Sequence, residues 1–526
     1  MTRFRALAAL ATAAVLALGV SACGDDDSGG GGGGEGGTII HGTIDQPVSY
    51  DPAGSYDLPS WNVIWNTYQN LLAIPPGETK VQPEAAQQCD FTNPTTYKCT
   101  MRKGLKFTDG SPLTAEDVVF SFDRNVKIAD PNGASSLLAN MASVNAPDDS
   151  TVIFKLKEPD ATWPYVLTVG GTAIVPSDAY PANDLQPSDK LIGSGRYVLA
   201  DYQAGQQTVL EKNPKYKGSE PAKNDRVIVQ YFDKSSTLKL AVEQGDVDIA
   251  FRQLSPTEIE DLRGASGLEV IEGEGTEIRY LVFNLKLQEG NEQQKLAARQ
   301  AVAYSVDRDS IAQDVYNGTV DPLYSMVPVG VDFADDKPFK DMYGEAPDPA
   351  AAKQALQKAG VKTPVSMDLW YTPSHYGPAT GDEAAELKRQ LEADGLFKIT
   401  LKSTEWNQYD EAALTDKYPF FHFGWFPDYP DADNYVSSFY STDSFLNDGY
   451  SNAEMDKLLS KEKATTDKAT RQKAFEQIQQ IGAEDLPTIP LWQGKQVAVV
   501  RDGVSGVEET LDPAYIFRYW LMSKSG

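Results

Sequence analysis

Short apolar runs alternate along the chain with longer stretches of helical period. TIIHGTI from Thr38, VIVQYF from Val227 to Phe232 and YLVFNL from Tyr280 to Leu285 read as strands. SWNVIWNTYQNLL, PAAAKQALQKAG and AELKRQLEAD carry a helical repeat, with Ser60 expected as an N-cap and Gly360 and Gly395 as C-caps. Between Gly104 and Arg124, Thr108, Asp109 and Gly110 make a turn. Thr114 followed by Asp117 is an N-cap with an acidic first turn, and Val118, Val119 and Phe122 form the apolar helical face behind it. Gly193 and Gly195 suit a tight turn. This alternation of strands and helices predicts α/β domains.

One run breaks the alternation. Phe420, Phe421, Phe423, Trp425 and Phe426 predict a strand that is apolar on both faces and therefore buried, ended by Pro427 and Pro430. Asp428 lies just past it, at the edge of a low-dielectric wall, where a carboxylate attracts a cation such as a ligand ammonium. The competing reading is turn and cap chemistry, ordinary for Asp beside Pro. Asp431 and Asp433 take that second reading, with Asp433 or Asn434 as the N-cap.

Composition and the chain's first residues narrow the class of protein. Arg3 and Arg5 precede an apolar stretch, Ala6 to Val20, too short to span a bilayer as a stable helix, so residues 1–22 read as a targeting segment. It ends in Val20, Ser21, Ala22 and Cys23, which resembles the lipobox of bacterial lipoproteins. Cys23 would then be acylated and become the mature N-terminus; the alternative is a plain secretory signal with an incidental cysteine. Residues 23–37, with their Asp run and Gly tract, read as a flexible tether. The formal charge of −28 argues against nucleic acid or anionic lipid as a partner. Cys89 and Cys99 remain as an even pair around DFTNPTTYK, where they could close a hairpin as a structural disulfide. His41, His375 and His422 are far apart in sequence, so no metal site is expected; a carboxylate-pair hydrolase built on Asp428 and Asp431 finds no support in their spacing.

Taken in order, these stretches resemble the extracytoplasmic solute-binding proteins of family 5, the oligopeptide-, dipeptide- and nickel-binding components of ATP-driven importers. The landmarks are GLKFTDGSPLTAEDVVFSFDR, IGSGRYVLADY, NPKYKG, EQGDVDIA, YLVFNL, RQAVAYSVDRDSIA, PAAAKQALQKAG, the aromatic and aspartate stretch, and EDLPTIPLW. The resemblance runs from Thr38 to the C-terminus. It implies an α/β, two-lobed clamshell of the periplasmic-binding type II with an inserted subdomain. Lobe I would comprise 38–279 plus 484–526, with the insertion at about 75–190, and lobe II 280–483. Position by position, a Gly-Trp-x-x-Asp segment that receives a peptide's N-terminal ammonium carries to Gly424, Trp425, Phe426 and Asp428. A cation for the peptide carboxylate is not singled out; Arg252, Arg279 and Lys402 are candidates. Trp61, Tyr371 and Trp406 are candidates for a side-chain pocket. The implied protein is a monomeric, membrane-anchored, extracytoplasmic binder that needs neither catalysis nor cofactor. It would hand peptides to the permease and ATPase of an importer. Alternatives within the same fold are a nickel chelate, an amine or an oligosaccharide as ligand, or a role as peptide-signal receptor.

Overall fold

The computed structural model describes residues 37–525; the targeting segment, Cys23 and nearly all of the tether lie outside them. Two large sheets and one small one organise the chain. The first sheet has seven strands, in the order Leu268–Gly273, Gln496–Arg501, Ile249–Ala250, Thr38–Thr43, Arg226–Tyr231, Gln207–Lys212 and Tyr197–Gln203. The second has six, in the order Val320–Pro322, Thr488–Gly494, Ile278–Phe283, Phe420–Trp425, Val365–Tyr371 and Phe397–Ser403. Thr38–Thr43 runs parallel to both its neighbours, and Val365–Tyr371 runs parallel to both of its own. The chain crosses between the sheets twice, at 274–277 and at Lys495. Thr488–Gly494 pairs in the second sheet and Gln496–Arg501 in the first, so the return crossing lies at Lys495 where the sequence places it at 484.

The second sheet is apolar on both faces. Leu281, Phe283 and Phe420 pack into one core, while Ile278, Tyr280, Val282, Phe421 and Phe423 pack into another. The aromatic run is thus a central strand clad on both sides.

Residues 86–101 and 141–156 form a separate four-stranded antiparallel sheet inside the expected insertion. In it Cys89 and Cys99 face each other across the hairpin and are bonded. Closing so short a loop stabilises by about 3 kcal/mol on the chain-entropy account. Reduction is therefore expected to speed hydrogen exchange of the Ala86–Met101 amides; unchanged protection would contradict this.

Two local expectations change. Helix Leu58–Thr67 is capped by Asp57, whose carboxylate accepts from the Ser60 N–H at 2.9 Å, and Ser60 instead accepts from Val48 and Ser49. Pro59 explains the shift, because it belongs in the first turn of a helix and so places the cap before it. Gly193 and Gly195 serve close approach rather than a turn: a Cβ at either would lie 2.0 or 2.5 Å from the backbone of Thr67. The Thr114 cap holds, with its N–H donating to the Asp117 carboxylate at 2.8 Å ahead of helix Ala115–Ile128.

Candidate functional site

Parallel strands of both sheets point their carboxyl ends toward the crossings, the place where open α/β sheets bind ligands. Past Ile249–Ala250 come Phe251, Arg252 and Gln253; past Val365–Tyr371 come His375 and Tyr376; past Phe420–Trp425 come Phe426 and Asp428. The first two of these segments and Phe426 line one cleft of about 130 Å³, floored by Glu277 and Gly494–Gln496 at the crossings. Grooves of about 820 and 540 Å³ also occur, along Val361–Asp368 and along the helices at 337–341 and 476–481. Neither gathers the buried cations and aromatic rings that the cleft does.

A row across the second sheet builds one wall. Arg279 stands opposite Gly424 on one neighbouring strand and Trp492 on the other. Its guanidinium carbon lies 4.8 Å from the Trp492 ring and 4.3 Å from that of Tyr376, a cation held between two aromatic faces. Gly424 makes this possible. A Cβ there would sit 2.7 Å from Arg279 Nη1 and 2.8 Å from the Tyr376 ring. Trp492 is fixed in turn by Glu383, a fully buried carboxylate that accepts from the Trp492 indole at 2.9 Å and the Tyr316 hydroxyl at 2.7 Å. Burial pushes the Glu383 carboxyl up, but His422 at 3.3 Å and these two donors more than offset it and hold it below its ordinary value.

Arg252 faces this wall from the first sheet. It pairs with Asp45 at 2.7 Å, approaches Glu277 at 3.7 Å, and lies 4.7 Å above the Phe426 ring. His375 stacks on Trp406 with ring centres 3.6 Å apart, which ties the Tyr376 loop to helix Trp406–Ala413. Burial, then the charges of Arg279 and Arg252, push the His375 pKa down to about 4, so the ring is neutral at pH 7.

Asp428 is half-buried. Its N–H donates to Asn434 Oδ1 at 3.0 Å and its carboxylate accepts from Asn434 Nδ2 at 2.9 Å. Burial pushes its carboxyl up, while bonds from Tyr56 and Asn434 draw it partly back. Tyr56 comes from the N-terminal part of the chain, so Asp428 lies where the two halves meet. The four residues of the Gly-Trp-x-x-Asp segment do not act alike. Phe426 lines the cleft and Gly424 lies against Arg279 and Tyr376, whereas Trp425, one residue out of phase, packs on Phe439 and Phe445. Its indole donates to the same Asn434 that holds Asp428, so Trp425 meets the site through that amide.

Asp431 makes the expected turn bond, accepting from the Asp433 N–H at 2.9 Å, and carries an ion pair as well. Its carboxylate takes a two-pronged bond from Arg471 at 2.8 and 2.7 Å, buried beside Glu462. Of the other candidates, Lys402 pairs with Asp368 at 2.9 Å on the outer strands, Trp61 is buried in the first core, and Tyr371 ends its strand outside the cleft lining. Glu277, Tyr376, Trp492 and Glu383 escaped the sequence reading. Arg279 left the clearest signal, as a charge inside an otherwise apolar strand. The histidines stay apart: His41 bonds Tyr519 and the Phe251 carbonyl, far from His422 beside Glu383. Among the described residues no group of three or more His, Cys, Asp or Glu is placed to hold a metal ion.

The family model for bacterial extracellular solute-binding proteins, family 5 Middle, matches residues 80–447. The chain is similar to the "Probable D,D-dipeptide-binding periplasmic protein DdpA" of Escherichia coli, 27% identical over 500 residues, covering 92% of this chain and 94% of that one. It is also similar to the "Di/tripeptide-binding protein 3" of Pseudomonas aeruginosa, 27% identical over 478 residues, with 85% and 86% covered. Among solved structures, the periplasmic binding protein DppA of Helicobacter pylori in complex with the peptide STSA superposes with a TM-score of 0.78 at 22% identity, covering 93% of this chain and 98% of that one. The fold is therefore the two-lobed α/β architecture of these binding proteins.

Proposed function

Because the chain belongs to the bacterial extracellular solute-binding proteins of family 5, we propose that it captures short peptides in the cleft between its two sheets and passes them to an importer's permease. The observation that carries this is the cleft itself: it opens at the carboxyl ends of strands from both sheets, and Asp428 lies two residues beyond its lining residue Phe426, bonded by Tyr56 from the N-terminal part of the chain. The half-buried carboxylate would receive the peptide ammonium. The lobes would be the two sheets with their helices, hinged at 274–277 and Lys495. Contacts between them are already made on one side, where Ala161 N–H donates to the Lys463 carbonyl at 2.8 Å and Tyr165 stacks on Tyr429 at 5.5 Å. A ligand that touches both lobes would favour this closed arrangement by its differential affinity for it. Capture needs no bond-making chemistry, so no enzymatic activity is assigned. Among the described residues no helix is long and apolar enough to cross a membrane. Anchoring would rest on acylation of Cys23, with the tether giving a monomer reach to its permease.

Peptide binding is expected to follow a bell-shaped pH profile. Asp428 binds as the carboxylate, so affinity is present above its raised pKa and lost as pH falls through it, beginning above the value of about 4 at which an ordinary aspartate titrates. Affinity also falls above about pH 8, where the peptide amine loses its proton. Calorimetric titration of one free-amine peptide from pH 4 to 9 reads both limbs; N-acetylation should abolish the alkaline limb. A profile that is flat on the acid side would contradict the role given to Asp428.

A further inference from the structure

We propose that the Tyr429 ring and the Lys463 carbonyl form a latch between the lobes, set outside the cleft, whose loss weakens every ligand by one common factor. Only its effect on affinity rests on the peptide reading. Tyr429 is 8% exposed. Among the described residues it is the only one between the two crossings that packs into the core of the first sheet and the insertion. Its ring stacks on Tyr165 with centres 5.5 Å apart and planes at 21°, and its hydroxyl donates to Thr162 Oγ1 at 3.5 Å. An aromatic side chain of one lobe set in the core of the other stabilises the closed form by the apolar area it buries, and that gain is lost when the lobes part. Lys463 ends helix Ala453–Lys463, so its carbonyl is one of those a helix leaves without an internal partner. It accepts the Ala161 N–H of the insertion at 2.8 Å. Its ammonium lies 3.8 Å from Asp433 on its own side. Asp433 first, and then Asp160 from the insertion, outweigh burial and hold that ammonium above the usual lysine value. Asp160 is fixed in turn, accepting from the Thr162 N–H and from Asn140, each at 3.0 Å.

Arg471 makes these two contacts one unit. Its guanidinium grips Asp431, two residues past Tyr429, at 2.8 and 2.7 Å, and Glu462, the residue before Lys463, at 3.0 and 2.8 Å. Asp433 joins the same cluster, between the Lys463 ammonium and the Ser437 hydroxyl. A buried charge cluster adds little stability over apolar packing of the same volume. Here it ties the Tyr429 loop to the end of the Lys463 helix, so both contacts are presented to the insertion together. None of Ala161, Tyr165, Tyr429 and Lys463 lines the cleft. Apparent affinity scales with the fraction of the protein in the binding-competent form, and a latch that touches no ligand acts on that fraction alone.

Hydrogen exchange of the Ala161 amide in the ligand-free protein reads the latch directly, because that N–H has its partner on the other lobe. Tyr165→Ser and Tyr429→Ser are each expected to speed it by about 10- to 100-fold, the range set by burying one aromatic side chain. Tyr165→Phe and Tyr429→Phe keep the stacked rings and should hold the parent rate. The double serine variant should exchange within about 3-fold of either single one, because the two rings serve one contact. Amides of strand Thr151–Leu156 beside the latch should keep their parent rates, since the lobes part without unfolding. Equal acceleration there marks a permanent packing interface and overturns the proposal, as does an Ala161 rate that neither serine variant changes. Titrations of trialanine and of leucyl-leucine should show both affinities reduced by the same ratio in Tyr165→Ser, which lies on the insertion away from Asp428; unequal losses overturn the common factor. One arm needs no variant: a saturating amount of whichever peptide binds should slow the Ala161 amide of the parent protein, and an unchanged rate counts against the latch. If neither peptide binds the parent protein, the peptide reading fails, and the exchange rates of the serine variants decide the latch separately.

Discussion

Replacing Asp428 by alanine is expected to weaken binding of a free-amine peptide by about 10- to 150-fold, the equivalent of losing roughly 1.5 to 3 kcal/mol of charge-assisted hydrogen bonding. Melting temperature should hardly change, because burial already disfavours the charged form of this carboxylate when no cation is present. The loss should be specific to the amine. An N-acetylated peptide, weak to begin with, should lose little more in Asp428→Ala, and the two changes together should be far less than additive. Asp431 is unsuitable as the control because its carboxylate is bound by Arg471. Asp443, exposed on a later turn, serves instead, and Asp443→Ala should leave affinity unchanged. Equal effects from Asp428→Ala and Asp443→Ala would remove Asp428 from the site.

The largest stability effect is expected at Arg471. Its guanidinium holds Asp431 with two bonds and Glu462 with two more, all four between 2.7 and 3.0 Å and buried. Burial and the neighbouring Asp433 push the Glu462 carboxyl well up, and Arg471 also bridges Asp431. Arg471→Met strands the Asp431 carboxylate, which costs about 3–5 kcal/mol when one member of a buried pair is removed. Arg471→Met combined with Asp431→Leu removes both charges and should recover most of that loss. The sign of the pH dependence follows. Protonation of the buried acids left without their guanidinium removes the stranded charge, so the deficit of Arg471→Met shrinks as pH falls. Urea denaturation of the parent, single and double variants at pH 7 and 5 measures all of this; a single variant within about 1 kcal/mol of the parent would contradict it.

The strands were readable where the local pattern decides the structure. FFHFGW is apolar at nearly every position, so a buried central strand is the natural outcome, and Thr114 with Asp117 carries its cap within three residues. What escaped depends on partners far along the chain. Asp431 shows its turn chemistry locally, but its ion pair appears only when helix Lys468–Asp485 brings Arg471 to it from 40 residues away. Asp428 meets Tyr56 only because the two halves of the chain come together, and Glu277 and Trp492 reach the cleft only because the crossings lie beneath it. Side chains alternate along a strand, which is why Gly424 lies against Arg279 and Tyr376 while Trp425 packs on Phe439 and Phe445. Arg279 stands out in the sequence as a charge in an apolar strand, but the glycine across the sheet that makes room for it cannot be read there.

The most direct measurement of the central claim is what the cleft carries when the protein is purified. Mass spectrometry of residues 24–526, first under native and then under denaturing conditions, should release a set of short peptides of mixed side chains, with free amino and carboxyl termini. A single non-peptide mass, or a metal complex, released from the cleft would leave the two-lobed fold intact and contradict the assignment of peptides as its ligands.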